Sequence, residues 1–320
     1  IGNPSIPVIA DAVAKGIGQF DRTEALRLCR STMLLDNYRS LDHYARLGYV
    51  PLNVTDMGHD DWSLSRTLEY AFDDACVAQM AQQIEGRPDT LFLRRAQFYR
   101  NTFDPARGFF VPRDTAGRFQ PDFHPEAYTP HICESNAWHY LWSVQHDIDG
   151  LMQLLGGPDR MASRLDSFFT LTPRDKAELP LFSTGMIGQY AHGNEPSHHV
   201  AYLYNMVGQP HKAQQYIAQI RDELYRDEPA GLCGNDDCGQ TSAWLVWSAM
   251  GMYPVHPASA RYDTGTPMFP RLTLRLPNRR PTTIVAHNFQ SGQPLVRAIH
   301  LDGRPITDHQ LPHRLFTRGG

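Results

Sequence analysis

The chain has 320 residues, 41% of them hydrophobic and 20% charged, which supports a packed core and excludes a disordered chain. A net charge of −4 over that length provides no basic field for a polyanion, so nucleic acid is excluded as the expected partner. No apolar run approaches the roughly 18 residues of a membrane helix, so no membrane span is expected.

Apolar spacing predicts helices over residues 6–15 and 21–47. Asp61-Trp62-Ser63 then precedes Leu64, Leu68, Phe72, Cys76, Met80 and Ile84. That spacing gives one apolar stripe, with Glu69, Asp73, Asp74 and Gln82 on other faces. Further helices are predicted over 88–99, 135–155, 158–169, 198–207, 211–226 and 240–250. Gly48, Gly86, Gly157, Gly208 and Gly251 stand where helices should stop. The pattern is an array of α-hairpins with no fixed-period repeat. Two long connections, 101–133 and 171–191, interrupt it; the first is rich in Pro and Phe, and both are expected to form functional rims.

From residue 257 the character changes to strand. Residues 272–276 alternate, 282–286 and 296–301 are β-rich, and Leu301-Asp302-Gly303-Arg304 reads as a hairpin turn. The apolar face of this small sheet needs a partner layer that the remaining strands are too few to supply. The chain opens on Ile1 without a signal-peptide pattern and closes on Gly319-Gly320 without a closing element, as expected of a piece of a longer protein.

The five cysteines (Cys29, Cys76, Cys133, Cys233, Cys238) exclude a dense disulfide framework. Cys233 and Cys238 are compatible with a small loop disulfide or with two thiols. No CxxC is present, which removes the zinc-ribbon reading.

Three clusters carry potential chemistry. Cys133-Glu134-Ser135-Asn136-Ala137-Trp138 opens a helix, placing Glu134 either in a cleft rimmed by Trp138 and Trp142 or as a first-turn carboxylate serving the helix dipole. In His192-Gly193-Asn194-Glu195-Pro196-Ser197-His198-His199, Asn and Glu offer hard oxygens suited to Ca²⁺. The His198-His199 pair invites zinc, but adjacent helical residues point about 100° apart and HExxH is absent. Ser197 as a plain helix cap remains an alternative. Gly234-Asn235-Asp236-Asp237-Cys238-Gly239-Gln240 places two carboxylates before an apolar helix, as catalytic groups or as simple turn caps. GxGxxG, Walker A and GxSxG are absent, so nucleotide binding and α/β-hydrolase chemistry lose their usual support. Two carboxylates among Trp and Tyr side chains form the kit of a glycoside hydrolase.

These three segments resemble the hallmark segments of glycoside hydrolase family 92. So do Val8-Ile9-Ala10-Asp11-Ala12, residues 67–74 and His146-Asp147-Ile148-Asp149-Gly150-Leu151, in the expected order. Ser135 stands where the family usually has Gly. The resemblance implies a mainly α fold: an (α/α)6 toroid, here partial, over residues 1–256 and lacking its first helices. The about nine predicted helices fall short of the twelve that six hairpins require. Residues 257–320 would then be strands packing on an N-terminal β-sandwich expected in the full-length protein. It further implies an inverting, Ca²⁺-dependent exo-α-mannosidase that trims α-1,2-linked mannose from glycans. Carried over by motif, Glu134 resembles the general acid and Asp237 the general base, with Asp236 helping to place the water. Asn194, Glu195 and Gln240 resemble the Ca²⁺ site, and His192, His198, Trp138 and Asn136 the substrate contacts. Export to the periplasm or outside the cell follows from a glycan substrate. Two readings compete: a truncated, inactive fragment that at most binds mannosides, and a different (α/α)-barrel epimerase or lyase with catalytic histidines.

Overall fold

The computed structural model describes residues 1–54, 61–173, 179–277 and 279–318. Part of the 171–191 connection therefore lies outside the described residues. The chain forms two compact units. The first comprises Ile1–Gly157 and Pro257–Ser259; the second comprises Pro158–Thr172, Leu181–His256 and the chain from Ala260 on. The strands from Arg261 on group with Pro158–Thr172 and Leu181–His256.

In the first unit, α1 (Ser5–Lys15) buries Ile6, Ala10 and Val13, the i, i+4, i+7 stripe that its spacing predicts. The predicted helix over 21–47 is two helices, α2 (Arg22–Met33) and α3 (Leu41–Leu47). Between them Asn37, Arg39 and Ser40 all adopt positive φ, which no continuing helix accommodates. Asp21 starts α2 by accepting the Glu24 N–H at 3.0 Å.

Helix α4 (Ser63–Glu85) is the centre of this unit, and it corrects the one-stripe expectation. It is buried nearly all round, Asp73 and Asp74 included. Asp73 accepts the Asn3 N–H at 2.9 Å, and Asp74 receives Arg95 Nε at 2.9 Å from α5 (Thr90–Arg95). Such pairing is the condition for burying a carboxylate.

The predicted helix over 135–155 also divides, into α6 (Ala137–Tyr140) and α7 (Ile148–Leu155). Asp147 forces the division: its Oδ1 accepts the Gly150 N–H at 2.9 Å and starts a new helix, while its Oδ2 accepts from the Tyr99 hydroxyl at 2.7 Å.

His146, beside that cap, donates through Nε2 to the Ala96 carbonyl at 2.9 Å and stacks on Phe72. Burial pushes its pKa from 6.5 down to about 4. A histidine depressed in the folded state contributes stability above its unfolded pKa, and that stability is lost as pH falls from 6.5 towards 4. His146→Gln is expected to flatten this loss, by up to about 3 kcal/mol at the acid end. Urea denaturation of both proteins across that range checks it, and parallel curves would refute it.

In the second unit, α8 (Pro158–Thr170) and α9 (Pro210–Leu224) carry the expected stripes, with Met161, Leu165 and Phe168 buried on one and Ala213, Ile217 and Ile220 on the other. Rings of Phe169 and Tyr216 stack with centroids 4.1 Å apart. The predicted helix over 198–207 is a 3-10 helix, Val200–Asn205. Its residues from Val200 to Tyr204 are fully buried, so no one-sided apolar stripe favours an α-helical period there.

The strands in this unit are short and antiparallel. Met186–Ile187 pairs with Tyr190–Ala191 across a turn at Gly188, whose φ of 62° and contact with the Phe169 backbone leave no room for a side chain. Arg261–Thr264 lies between Met252–Tyr253 and Gln310–Pro312. Arg271–Leu274 pairs with Thr282–Val285, and Ile299–Leu301 pairs with Arg304–Ile306 through the predicted Asp302-Gly303 turn. Leu272, Leu274 and Ile284 are partly buried and pack towards Met250, Tyr262 and Phe316 within this unit. No helix among the described residues is long and apolar enough to cross a membrane.

Candidate active site

The first unit contributes the Glu134 segment. Residues 130–133 are stitched to the start of α4: Trp62 N–H donates to the Pro130 carbonyl at 2.9 Å, Leu64 N–H to His131 at 3.0 Å, and Cys133 N–H to Ser65 Oγ at 2.9 Å. Asp61 completes the seam, its Oδ2 lying 2.8 Å from His131 Nδ1 and its Oδ1 accepting the Ser63 N–H at 2.9 Å. Burial opposes the charge on Asp61, but His131 and two backbone N–H groups outweigh it and hold the carboxyl below the usual range.

Glu134 emerges from this seam exposed, between buried Cys133 and Ser135, with φ at 54°. A non-glycine there costs about 1–2 kcal/mol and persists only where its surroundings hold it. The next residues form its support. Asn136 is buried and caps α6, accepting from Trp138 N–H at 3.0 Å and His139 N–H at 3.3 Å. Trp138 is buried, edge-on to Phe109 with centroids 4.9 Å apart. Trp142 is fully buried too, so Trp138 and Trp142 are core side chains and not the rim of a cleft. The apolar spacing that made them look like a platform serves packing.

The second unit gathers the other two clusters. Gly234 packs on the Gly193 backbone so closely that an added Cβ would lie 2.7 Å from the Gly193 carbonyl oxygen. The two glycines thus let the segment carrying Asn194-Glu195 meet the one carrying Asp236-Asp237. Asp236 accepts the Ser242 N–H on Oδ1 at 2.8 Å and the Ser242 hydroxyl on Oδ2 at 2.6 Å, which holds its carboxyl below the usual range. Ser242 lies in the first turn of α10 (Gln240–Ala249), whose N-cap is Gly239. Asp237 is exposed and begins a 3-10 turn that contains Cys238 at φ 52°. Cys233 and Cys238 are free thiols, not a disulfide.

His192 and His198 are buried, with both ring nitrogens engaged. The Tyr225 hydroxyl donates to the Thr241 carbonyl at 2.9 Å, so it accepts from His192 Nε2–H at 2.6 Å. Nδ1 of His192 is then the acceptor for the Tyr190 hydroxyl at 2.6 Å. His198 Nε2–H donates to the His192 carbonyl at 2.9 Å, and its Nδ1 lies 3.3 Å from Gln240 Nε2. Burial pushes His198 down to about 4 and His192 to about 2, the neighbouring His198 ring adding to the latter. Both ring nitrogens of His198 are taken by protein partners, which leaves it none for zinc.

Asn194, Glu195 and Gln240 offer two amide oxygens and one carboxylate. Among the described residues no group of three or more His, Cys, Asp or Glu gathers as a metal site. A hard-oxygen set dominated by amides fits Ca²⁺ and not zinc. Asp61, His131, Tyr190, Tyr225 and Tyr253 were not singled out by sequence. His131, Tyr225 and Tyr253 act through partners distant along the chain, whereas Tyr190 lies two residues from His192, and Asp61 two residues from Ser63, whose N–H it accepts at the start of α4.

Residues 1–320 match the family model described as the glycosyl hydrolase family 92 catalytic domain. Over 303 residues the chain is 26% identical to an uncharacterized secreted glycosidase of Arthroderma benhamiae, covering 86% of this chain and 37% of that protein. It is similar in structure to a family GH92 α-mannosidase of Bacteroides thetaiotaomicron, with a TM-score of 0.91 and 35% identity over 100% of this chain and 41% of that one. That mannosidase is also solved in complex with mannoimidazole. A family GH92 inverting mannosidase of the same organism gives a TM-score of 0.88 at 34% identity, covering 100% of this chain and 45% of that one. The chain spans less than half the length of these relatives. From its first residue to its last, the chain belongs to glycosyl hydrolase family 92.

Proposed function

We propose that this chain carries the catalytic portion of an inverting, Ca²⁺-dependent exo-α-mannosidase that releases α-1,2-linked mannose from glycans. The observation that carries the reading is Glu134: an exposed carboxylate held in a strained backbone conformation on a loop sutured to a buried helix. Strain of this kind concentrates where a side chain must be presented for work.

In this reading Glu134 is the general acid that protonates the leaving glycosidic oxygen. Asp237 is the general base that removes a proton from the water attacking the opposite face of the sugar, which inverts the anomeric centre. Asp236 helps to place that water, and its bonds to Ser242 steady the turn that carries Asp237. Asn136 and Trp138 act from beneath Glu134, and His192 and His198 from beneath the Asn194–Glu195 segment; none of the four needs to touch sugar. Asn194, Glu195 and Gln240 would hold Ca²⁺, which when bound supplies a charge for sugar hydroxyls and favours a distorted ring.

The full-length protein would add an N-terminal β-sandwich and complete an (α/α)6 toroid of which this chain is part. Export to the periplasm or the exterior is consistent with a polymeric glycan substrate and with the secreted relative. A second reading, a mannoside-binding segment without turnover, is favoured by the share of the relatives' length that the chain spans. Incubation of the purified chain with α-1,2-mannobiose decides between them. Mannose release in Ca²⁺, lost in EDTA, is expected; binding of mannobiose without release supports the second reading.

A further inference from the structure

His198, from the His192–His199 segment, and Tyr253, which no motif picks out, clamp the side chain of Gln240. Its Nε2 donates to the Tyr253 hydroxyl at 2.9 Å. The same nitrogen lies 3.3 Å from His198 Nδ1. The tautomer of His198 sets the direction of that second bond. Nε2–H of His198 is committed to the His192 carbonyl at 2.9 Å, so Nδ1 is a bare lone pair and can only accept. Both amide protons of Gln240 are therefore consumed, one by each partner. Flipping the amide would set Oε1 against the Nδ1 lone pair, two acceptors facing each other, and is disfavoured.

The clamp itself is held. His198 is buried, its ring lies against His192 with centroids 4.7 Å apart, and its own carbonyl accepts the Trp244 indole N–H at 2.9 Å. His192 in turn is fixed between the Tyr190 and Tyr225 hydroxyls. The His198 ring is joined to His192 through the His192 backbone carbonyl, so the His192 ring with Tyr190 and Tyr225 forms one set of bonds, and His198, Gln240 and Tyr253 another.

We propose that His198 and Tyr253 are positioning residues for the cation, clamping the Gln240 amide so that its oxygen, and never its NH₂ group, is presented as a ligand. The inference rests on the Ca²⁺ reading above and adds to it the residues that orient one ligand. Partners of this kind, hydrogen-bonded to a ligand and remote from the ion, are worth roughly 10–100-fold in metal affinity.

The test is calorimetric titration of CaCl₂ into the metal-stripped chain, which reads affinity without reference to turnover. Gln240→Ala is expected to weaken Ca²⁺ binding about tenfold or more, and His198→Phe and Tyr253→Phe each several-fold to tenfold. Adding His198→Phe to Gln240→Ala should weaken binding no further, because the two act through one atom. His198→Asn places an acceptor oxygen near the lost Nδ1 and should restore most of the affinity. Circular dichroism establishes that each variant is folded; should His198→Phe not fold, Tyr253→Phe, which removes one hydroxyl, decides alone. Wild-type affinity in folded His198→Phe and Tyr253→Phe would overturn the clamp. So would full additivity with Gln240→Ala, or an unaffected Gln240→Ala in a chain whose wild type binds Ca²⁺. A wild type that binds no Ca²⁺ would instead overturn the Ca²⁺ reading, and the clamp with it.

Discussion

Asp237→Asn is expected to remove activity on every α-mannoside, by roughly 10²–10⁴-fold in kcat. An amide accepts no proton from water, so the nucleophile loses its base whatever the leaving group. Glu134→Gln is expected to behave differently. It should lose a comparable factor on mannobiose, whose leaving alcohol must be protonated, and far less on a nitrophenyl mannoside, whose leaving group departs as a stable anion. The contrast between the two substrates assigns the roles. Fold defects cannot mimic it, because a misfolded fraction reduces both rates by the same factor. Both side chains are exposed, so neither replacement empties a packed position. Equal losses on both substrates for Glu134→Gln, or retention of activity in Asp237→Asn, would contradict the assignment.

The largest expected effect on stability lies elsewhere in the first unit, at Arg95. Its Nε donates to Asp74 Oδ2 at 2.9 Å and one terminal nitrogen donates to the Met33 carbonyl at 2.9 Å. Tyr44 brings its hydroxyl within 2.9 Å of the same carboxylate oxygen. Both charged groups are almost wholly buried. Burial pushes the Asp74 carboxyl up to about 7 against the pull of Arg95, so desolvation outweighs attraction even with the pair intact. Such a pair contributes little over a well-packed apolar equivalent, yet breaking it is costly. Arg95→Met should destabilise by about 3–5 kcal/mol at pH 8, since it removes the attraction that offsets the burial of the Asp74 carboxylate. For a protein of this size that is a fall in Tm of about 4–7 °C. The loss should shrink at pH 5, where Asp74 takes up a proton and carries no charge. The double variant Arg95→Met/Asp74→Asn should recover most of it at pH 8. Thermal denaturation at the two pH values reads all three outcomes. An Arg95→Met variant as stable as wild type at pH 8 would show that the carboxylate has other compensation.

What could be read from the chain alone follows from how local the causes are. The Asp302-Gly303 turn was legible because its two residues carry the positive φ values of 47° and 76° that a tight hairpin demands. The stripe of α1 was legible because one packed face leaves a 3.6-residue period. The divisions of 21–47 and 135–155 were not. Nothing in the apolar spacing marks Asn37, Arg39 and Ser40 as left-handed, and Asp147 caps α7 with help from Tyr99, 48 residues away. Helix α4 was read as one-sided because its carboxylates look solvent-facing; their partners Asn3 and Arg95 are remote in sequence.

At the candidate site the segments were legible through their resemblance to a family, and the family is the right one. The burial of their residues was not. Asn136, Trp138, His192 and His198 sit in the same motifs as the carboxylates proposed to react, and all four are buried. Tyr225, which accepts from His192, and Tyr253, which accepts from Gln240, belong to no motif because a hydroxyl recruited from elsewhere in the chain needs only reach; Tyr190 stands two residues before its partner His192.

The most direct test of the central claim is time-resolved proton NMR of α-1,2-mannobiose digested by the chain in Ca²⁺, with EDTA as control. An inverting pair of carboxylates predicts β-mannose as the first product, before mutarotation, and no release in EDTA. α-Mannose appearing first, or release that ignores EDTA, would contradict the account.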